Sequence, residues 1–257
     1  MNRITKLFKS DKKDKLSVFF TAGYPVKNSV KEIIVSLEKH GVDMIEIGIP
    51  FSDPMADGKT IQDSSTMALK NGMSLDEIFS QIKDVRKDCS IPLVFMGYLN
   101  PIMHFGFERF CEKCKEVGVD GLIIPDLPFK EYIEHYKDII LKNELKFTML
   151  ITPETSKERI MEIDKATDGF IYMVSTASTT GAKDDFDSDV VEYFKRVKQM
   201  NLNNPRMIGF GISNNKLYSL ANKYADGAIV GSLFVKLLGE NNSIDEAVEK
   251  LVKKLKN

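Results

Sequence analysis

Three cysteines in 257 residues (Cys89, Cys111 and Cys114) are too few and too unevenly spaced for a disulfide framework. No apolar run approaches the roughly 20 residues that cross a bilayer. Residues 1–9 lack the apolar segment and small-residue cleavage site of a secretion signal. Positive charge is not in excess either: 36 basic residues stand against 37 acidic ones, a formal net of -1. A nucleic-acid binder carries a basic face or stripe, and none appears. No Pro/Ser-rich linker or low-complexity tract divides the chain. These absences lead us to expect a reduced, cytoplasmic protein, one domain over residues 1–257, with neither nucleic acid nor membrane as partner. Apolar residues make up 43 %, enough for a sizeable core.

What is present is a rhythm. Eight apolar, strand-like runs occupy residues 16–21, 44–49, 92–96, 121–124, 146–151, 170–174, 206–210 and 227–230. Between them lie amphipathic stretches at 28–40, 75–86, 107–117, 130–142, 156–167, 189–200, 214–224 and, after the last run, 244–255. Asn28 is placed to N-cap the first of these and Gly41 to stop it. Strands alternating with helices imply a parallel sheet buried on both faces. Eight such units in this length fit a (β/α)8 TIM barrel, with a short N-terminal helix and extra helices after strands two and eight. The lysine-rich residues 9–15 read as a solvated turn before the first strand. Asp43, Asp120, Asp168 and Asp226 each stand just ahead of an even-numbered run. Taken singly they are good turn chemistry; their alternation supports an internally duplicated barrel.

Residues 44–63 stand apart. Isoleucines at 45, 47 and 49 alternate with Glu46 and Gly48, the period of a strand with two unlike faces. Pro50 ends the ladder, and a loop with Asp53 and Asp57 follows, closed by Gly58. In a (β/α)8 barrel, chemistry sits at the C-terminal ends of the strands. Gly209-Phe210-Gly211 follows run seven; Gly231-Ser232 follows run eight and opens a helical stretch at 233–238. Glycines admit close backbone approach and a helix start offers N–H donors, so the pair fits a phosphate monoester. Either motif alone also suits a tight turn.

Other chemistries lack their residues. A Schiff-base enzyme needs a desolvated lysine at a strand end, whereas Lys146 begins run five and Lys183 lies in a polar loop. Cys111 and Cys114 have zinc-like spacing but fall in a helical pattern without a second pair, which favours packing. His40, His104 and His135 fall on helices, at helix ends or in loops. Carboxylates remain. Glu46, facing a mouth lined by Phe19, Ile151 and Tyr172, would be desolvated and its pKa raised. Asp57, in the neighbouring loop, would be more solvated and stay ionised. Two acids separated in this way suit a proton-shuttling lyase or isomerase. A buried structural acid and a turn aspartate are the plainer alternatives.

At this point the residues resemble a known family. Residues 45–58, Ile-Glu-Ile-Gly-Ile-Pro-Phe-Ser-Asp-Pro-Met-Ala-Asp-Gly, are similar to the signature of the tryptophan synthase alpha subunits. Phe-Thr-Ala-Gly-Tyr-Pro (20–25), Gly-Tyr-Leu-Asn-Pro (97–101), Pro-Asp-Leu-Pro (125–128), Thr-Thr-Gly-Ala (179–182) and Gly-Phe-Gly-Ile-Ser (209–213) follow in family order, across essentially the whole chain. The resemblance implies retro-aldol cleavage of indole-3-glycerol phosphate to indole and glyceraldehyde 3-phosphate, without a cofactor. It implies Glu46 as the general acid–base on the indole ring carbon and Asp57 as the carboxylate at the indole N–H. It also implies phosphate contacts at Gly181, Gly211, Gly231 and Ser232, with Phe19 and Tyr172 around the indole and the glutamate. The implied partner is a pyridoxal-phosphate beta subunit in an α2β2 assembly. Lys59 stands where a proline commonly follows Asp-Gly. Thr176 and Ser178 stand where arginine and glycine are frequent. A neighbouring phosphate-binding barrel enzyme and a non-catalytic barrel that activates a partner are the competing readings.

Overall fold

The computed structural model describes residues 1–175 and 185–256. Eight strands form a closed, fully parallel barrel in chain order: β1 (Lys15–Thr21), β2 (Met44–Gly48), β3 (Leu93–Met96), β4 (Gly121–Ile123), β5 (Lys146–Ile151), β6 (Ile171–Val174), β7 (Arg206–Gly209) and β8 (Gly227–Val230). β8 closes the ring by pairing with β1, Val18 opposite Val230. All eight expected strands are present, their ends displaced by at most two residues. The expected extra helices follow β2 (Lys59–Lys70) and β8 (Ser232–Glu240).

Successive strand residues point to opposite sides, so the barrel divides its core in two. Phe19, Met44, Val94, Met96, Ile123, Phe170, Tyr172, Met207 and Ile229 fill the interior. Val18, Phe20, Ile45, Ile47, Phe95, Ile151 and Ile208 face outward onto the helices. Glu46 lies between Met44 and Gly48 on the inner face of β2, as its period predicts. Ile151 corrects the expectation: it belongs to the outer layer, and Leu150 is the β5 residue packed against the interior. A one-residue error in parity exchanges the faces.

The N-terminal helix Arg3–Lys9 plugs the floor. Ile4 is buried and joins the interior cluster with Leu7 and Phe8. A Cβ on Gly121 would stand 2.7 Å from Ile4 Cδ1, so glycine there admits the plug. Asn2 caps the helix, accepting from the Ile4 N–H at 2.9 Å while donating to the Asp120 carbonyl at 2.8 Å.

The four repeated aspartates do more than turn. Asp43, Asp120, Asp168 and Asp226 accept the N–H groups of Leu16, Leu93, Phe147 and Arg206 at 3.0, 3.0, 3.1 and 2.9 Å. Asp43, Asp120 and Asp226 also donate their own N–H to the carbonyl of the same residue. Each carboxylate thus stitches the entrance of an even strand to the odd strand before it. Each also meets a cation: Lys12, Arg3 and Arg86, Lys146, and Arg206 respectively. A hydrogen bond to a charged group is worth about 1.5–3 kcal/mol net, so the repeat is a stability device on the face away from the site.

Three local expectations change. The first long helix is Val30–Lys39, preceded by a 3-10 turn, Lys27–Ser29, that contains Asn28 in place of a cap. A helix, Leu99–Phe105, occupies what reads as a loop after β3. The stretch 130–142 is helical but contains a π-helical turn, Tyr132–Tyr136. Among the described residues no helix is long and apolar enough to cross a membrane.

Candidate active site

β2 sets the first acid. Glu46 has no exposed surface, and the Ser17 hydroxyl of β1 donates to its Oε1 at 2.8 Å. Its Oε2 is buried with no partner among the described residues. Burial disfavours the charged form and pushes this carboxyl up to about 8, the Ser17 bond offsetting only part of that. Phe19 is its register neighbour on β1. The Phe19 ring abuts Gly48, where a Cβ would come within 2.4 Å of Cζ, and a Cβ on Gly231 would stand 3.4 Å from its Cδ1.

The loop after β2 sets the second acid. The Asp57 N–H bonds to the Pro54 carbonyl at 3.0 Å, and Gln62, one turn into the next helix, holds the Asp57 carbonyl at 2.8 Å. The Tyr98 hydroxyl, just past β3, donates to Asp57 Oδ2 at 3.0 Å and accepts the Ala56 N–H at 3.0 Å. Burial raises Asp57 to about 6, against the opposing effect of the Tyr98 bond. The expected order of the two acids holds, but Asp57 is half-buried and lies nearer neutrality than a solvated loop carboxylate. Asp57 and Tyr98 line an open cleft with Phe19, Thr21, Met96 and Pro125. Glu46 is not on its wall. Tyr172 connects the two acids: it is buried, and both carboxyls disfavour ionisation of its phenol after burial itself.

The remaining candidates divide. Asp53 shapes its loop through the Ser52 hydroxyl at 2.5 Å and the Met55 N–H at 2.9 Å. Lys59 reaches Asp63 across one turn at 2.8 Å, an exposed pair on the helix that follows the loop. Phe210 and Gly211 adopt successive left-handed conformations, φ 70° and 74°, and the Ser175 hydroxyl donates to the Phe210 carbonyl at 2.5 Å. Gly231 precedes the helix Ser232–Glu240 with no side-chain cap, leaving its first N–H groups as donors. None of Gly211, Gly231 and Ser232 lines the cleft beside Asp57. Gly181, Thr176 and Ser178 lie outside the described residues. Cys111 and Cys114 are buried in the outer core, and burial pushes the Cys111 thiol up to about 12. His40 pairs with Asp245 at 3.0 Å, while His104 and His135 are exposed on helices.

Two residues escape the sequence reading. Ser17 is legible in principle, two places before Phe19 on the same strand face. Tyr98 sits at the end of β3, but its bond to Asp57 spans 41 residues. The Tyr98 bond lowers the Asp57 pKa, so Tyr98→Phe should move the Asp57 titration upward by roughly 0.5–1 unit. Carboxyl NMR checks this; an unmoved titration removes Tyr98 from the site.

Comparison with known proteins decides the family. A family model described as "Tryptophan synthase alpha chain" matches residues 5–257. The chain belongs to the tryptophan synthase alpha chain family. The Bacteroides fragilis tryptophan synthase alpha chain is 59 % identical over 251 residues, covering 98 % of this chain and 95 % of that one. That of Bacteroides thetaiotaomicron is 58 % identical, with both chains fully covered. A crystal structure of the tryptophan synthase subunit from Pyrococcus furiosus superposes with a TM-score of 0.84 at 39 % identity, over 94 % of this chain and 96 % of that one. Tryptophan synthase from M. tuberculosis gives 0.86 at 26 %, over 99 % and 98 %. Family membership therefore rests on sequence and fold over the full length.

Proposed function

We propose that this chain cleaves indole-3-glycerol phosphate to indole and glyceraldehyde 3-phosphate, a retro-aldol lyase step in tryptophan biosynthesis. The observation that carries the reading is the pair of carboxyls held at different pKa values, Glu46 near 8 and Asp57 near 6, inside a barrel of this family. Between those values one is an acid and the other an anion.

The chemistry needs that combination. Glu46 gives its proton to the ring carbon bearing the side chain, and the ring becomes cationic. Asp57 accepts the indole N–H and offsets the charge as it develops. Glu46, now a carboxylate, takes the proton of the hydroxyl on the adjacent side-chain carbon. The C–C bond breaks, its electrons restore the aromatic ring, and the aldehyde forms. One proton leaves Glu46 and one returns, so no external acid, base or redox partner enters. Phe19 and Tyr172 bound the indole. Gly211, Gly231 and Ser232 are assigned the phosphate, with Gly181 completing that end.

We further assign this chain a beta-chain partner in an α2β2 assembly in the cytoplasm. Pyridoxal phosphate belongs to that partner, which receives the indole. The test is indole release from indole-3-glycerol phosphate with the beta chain present, across pH. The expected kcat/KM profile is bell-shaped, with limbs near pH 6 (Asp57 must ionise) and pH 8 (Glu46 must be protonated). A chain that binds the beta subunit yet releases no indole would instead be a non-catalytic activator. A rate flat from pH 5 to 9 would remove the acid pair from the mechanism.

A further inference from the structure

We propose that Ser17 is a positioning residue for the cleavage: its hydroxyl holds Oε1 of Glu46, so the transferred proton resides on Oε2. The proposal rests on Glu46 being the acid–base.

Three observations converge. First, Ser17 and Glu46 are both without exposed surface, and 2.8 Å separates the hydroxyl from Oε1. Second, Oε2 is the one buried carboxylate oxygen without a partner among the described residues. Third, the register fixes direction: Ser17 lies opposite Met44 and Phe19 opposite Glu46. Ser17 therefore grips the carboxyl from the floor side, while Phe19 stands beside it toward the mouth. An oxygen that accepts a hydrogen bond is the poorer place for the proton, so the acid carries it on Oε2. The same bond stops rotation of the carboxyl, which would exchange the two oxygens between steps. When Glu46 becomes an anion after giving up its proton, the Ser17 O–H is its donor at a carboxyl without exposed surface. A charge-assisted bond there is stronger than the one to the neutral acid, so Ser17 acts more on the intermediate than on the ground state.

Few other groups compete for the role. Among the described residues, the titratable side chain whose phenol feels Glu46 is Tyr172 of β6, which also feels Asp57. From β3 the register neighbour is the apolar Val94. No cation from these strands reaches the carboxyl, and the Ser17 bond is what opposes the burial effect.

The experiment uses the full chain with its beta subunit and compares Ser17→Ala, Ser17→Thr and Ser17→Cys. Ser17→Ala should lower kcat roughly 10-fold with KM within about twofold, because substrate does not touch Ser17. Its alkaline limb should move up by roughly 0.5–1 pH unit, since losing the donor disfavours the carboxylate further. Ser17→Thr keeps the hydroxyl and should return both values toward the wild type; Ser17→Cys, a weak donor of similar size, should fall between them. Should the alanine variant not accumulate, the threonine and cysteine variants and the Glu46 titration by carboxyl NMR carry the comparison. An unmoved limb and wild-type kcat in Ser17→Ala overturns the proposal where Glu46→Gln is inactive. An active Glu46→Gln is a different result, which overturns the assignment of Glu46 itself.

Discussion

Glu46→Gln should release indole at least about 10³-fold more slowly than the wild type, and it should fold more stably at alkaline pH. The rate loss follows from the proton count: glutamine can neither give a proton to the ring carbon nor take one from the hydroxyl, and general acid–base catalysis is worth 10²–10⁴-fold for each role. The stability gain follows from linkage. The Glu46 pKa is raised from 4.5 to about 8 in the fold. Below pH 4.5 the carboxyl is neutral in both folded and unfolded chains and costs nothing. Above 4.5 the unfolded chain ionises while the folded chain does not, so stability falls with rising pH until the folded pKa is passed near 8. Glutamine removes that loss. The expected difference is close to zero at pH 4 and on the order of 4–5 kcal/mol at pH 8.5. Denaturant unfolding at the two pH values measures it. A pH-independent difference would mean that Glu46 is not held neutral by burial. The two effects in one residue describe a site that accepts lower stability in return for an acid near neutrality.

How far the sequence foretold this differs from residue to residue. The barrel is legible because strand runs alternate with helical ones, which implies a covered parallel sheet, and because eight such units in this length fit a closed ring better than a doubly wound sheet. The inward aim of Glu46 was legible because β2 carries a polar residue and a glycine on one parity and isoleucines on the other. Ile151 was misplaced for the opposite reason. On β5 the wholly apolar parity, Phe147, Met149 and Ile151, faces the helices, while Lys146, Thr148 and Leu150 take the inner parity, so an apolar side chain near the strand end does not by itself mark the inner face. Asp43, Asp120, Asp168 and Asp226 were visible as a repeat, yet their partners lie one strand back, more than 20 residues away for Asp43, Asp120 and Asp168. Tyr98 and Asp57 meet only because β2 and β3 are neighbours. The sequence shows that Asp57 lies in the loop after β2 and Tyr98 just past β3, not that one donates to the other. Glu46 and Asp57 were therefore found by type and position, whereas the groups that tune them, Ser17 and Tyr98, come from the fold.

Asp57→Asn separates the two roles of that residue. Asparagine keeps one acceptor oxygen in place of two, for which the indole N–H and the Tyr98 hydroxyl compete, so substrate binding should weaken only a few-fold. What it loses is the negative charge opposite a ring that becomes cationic after protonation. In a half-buried site that interaction is worth about 3 kcal/mol, so kcat should fall roughly 10²-fold while KM stays within a few-fold. The pH profile carries the sharper signature. The wild-type limb near pH 6 arises because Asp57, raised from 3.8 to about 6 by burial, must ionise. Asparagine has nothing to titrate there, so the acid limb should vanish while the limb near 8 from Glu46 stays. Stability shifts the same way as for Glu46→Gln but less, because the pKa shift is smaller and the group is not fully buried. Retention of the acid limb in Asp57→Asn would assign it to another group and leave Asp57 as a loop residue held by Tyr98. Its loss, with the alkaline limb intact, would tie each limb to one carboxyl and identify the neutral window as the range in which Glu46 is an acid and Asp57 an anion.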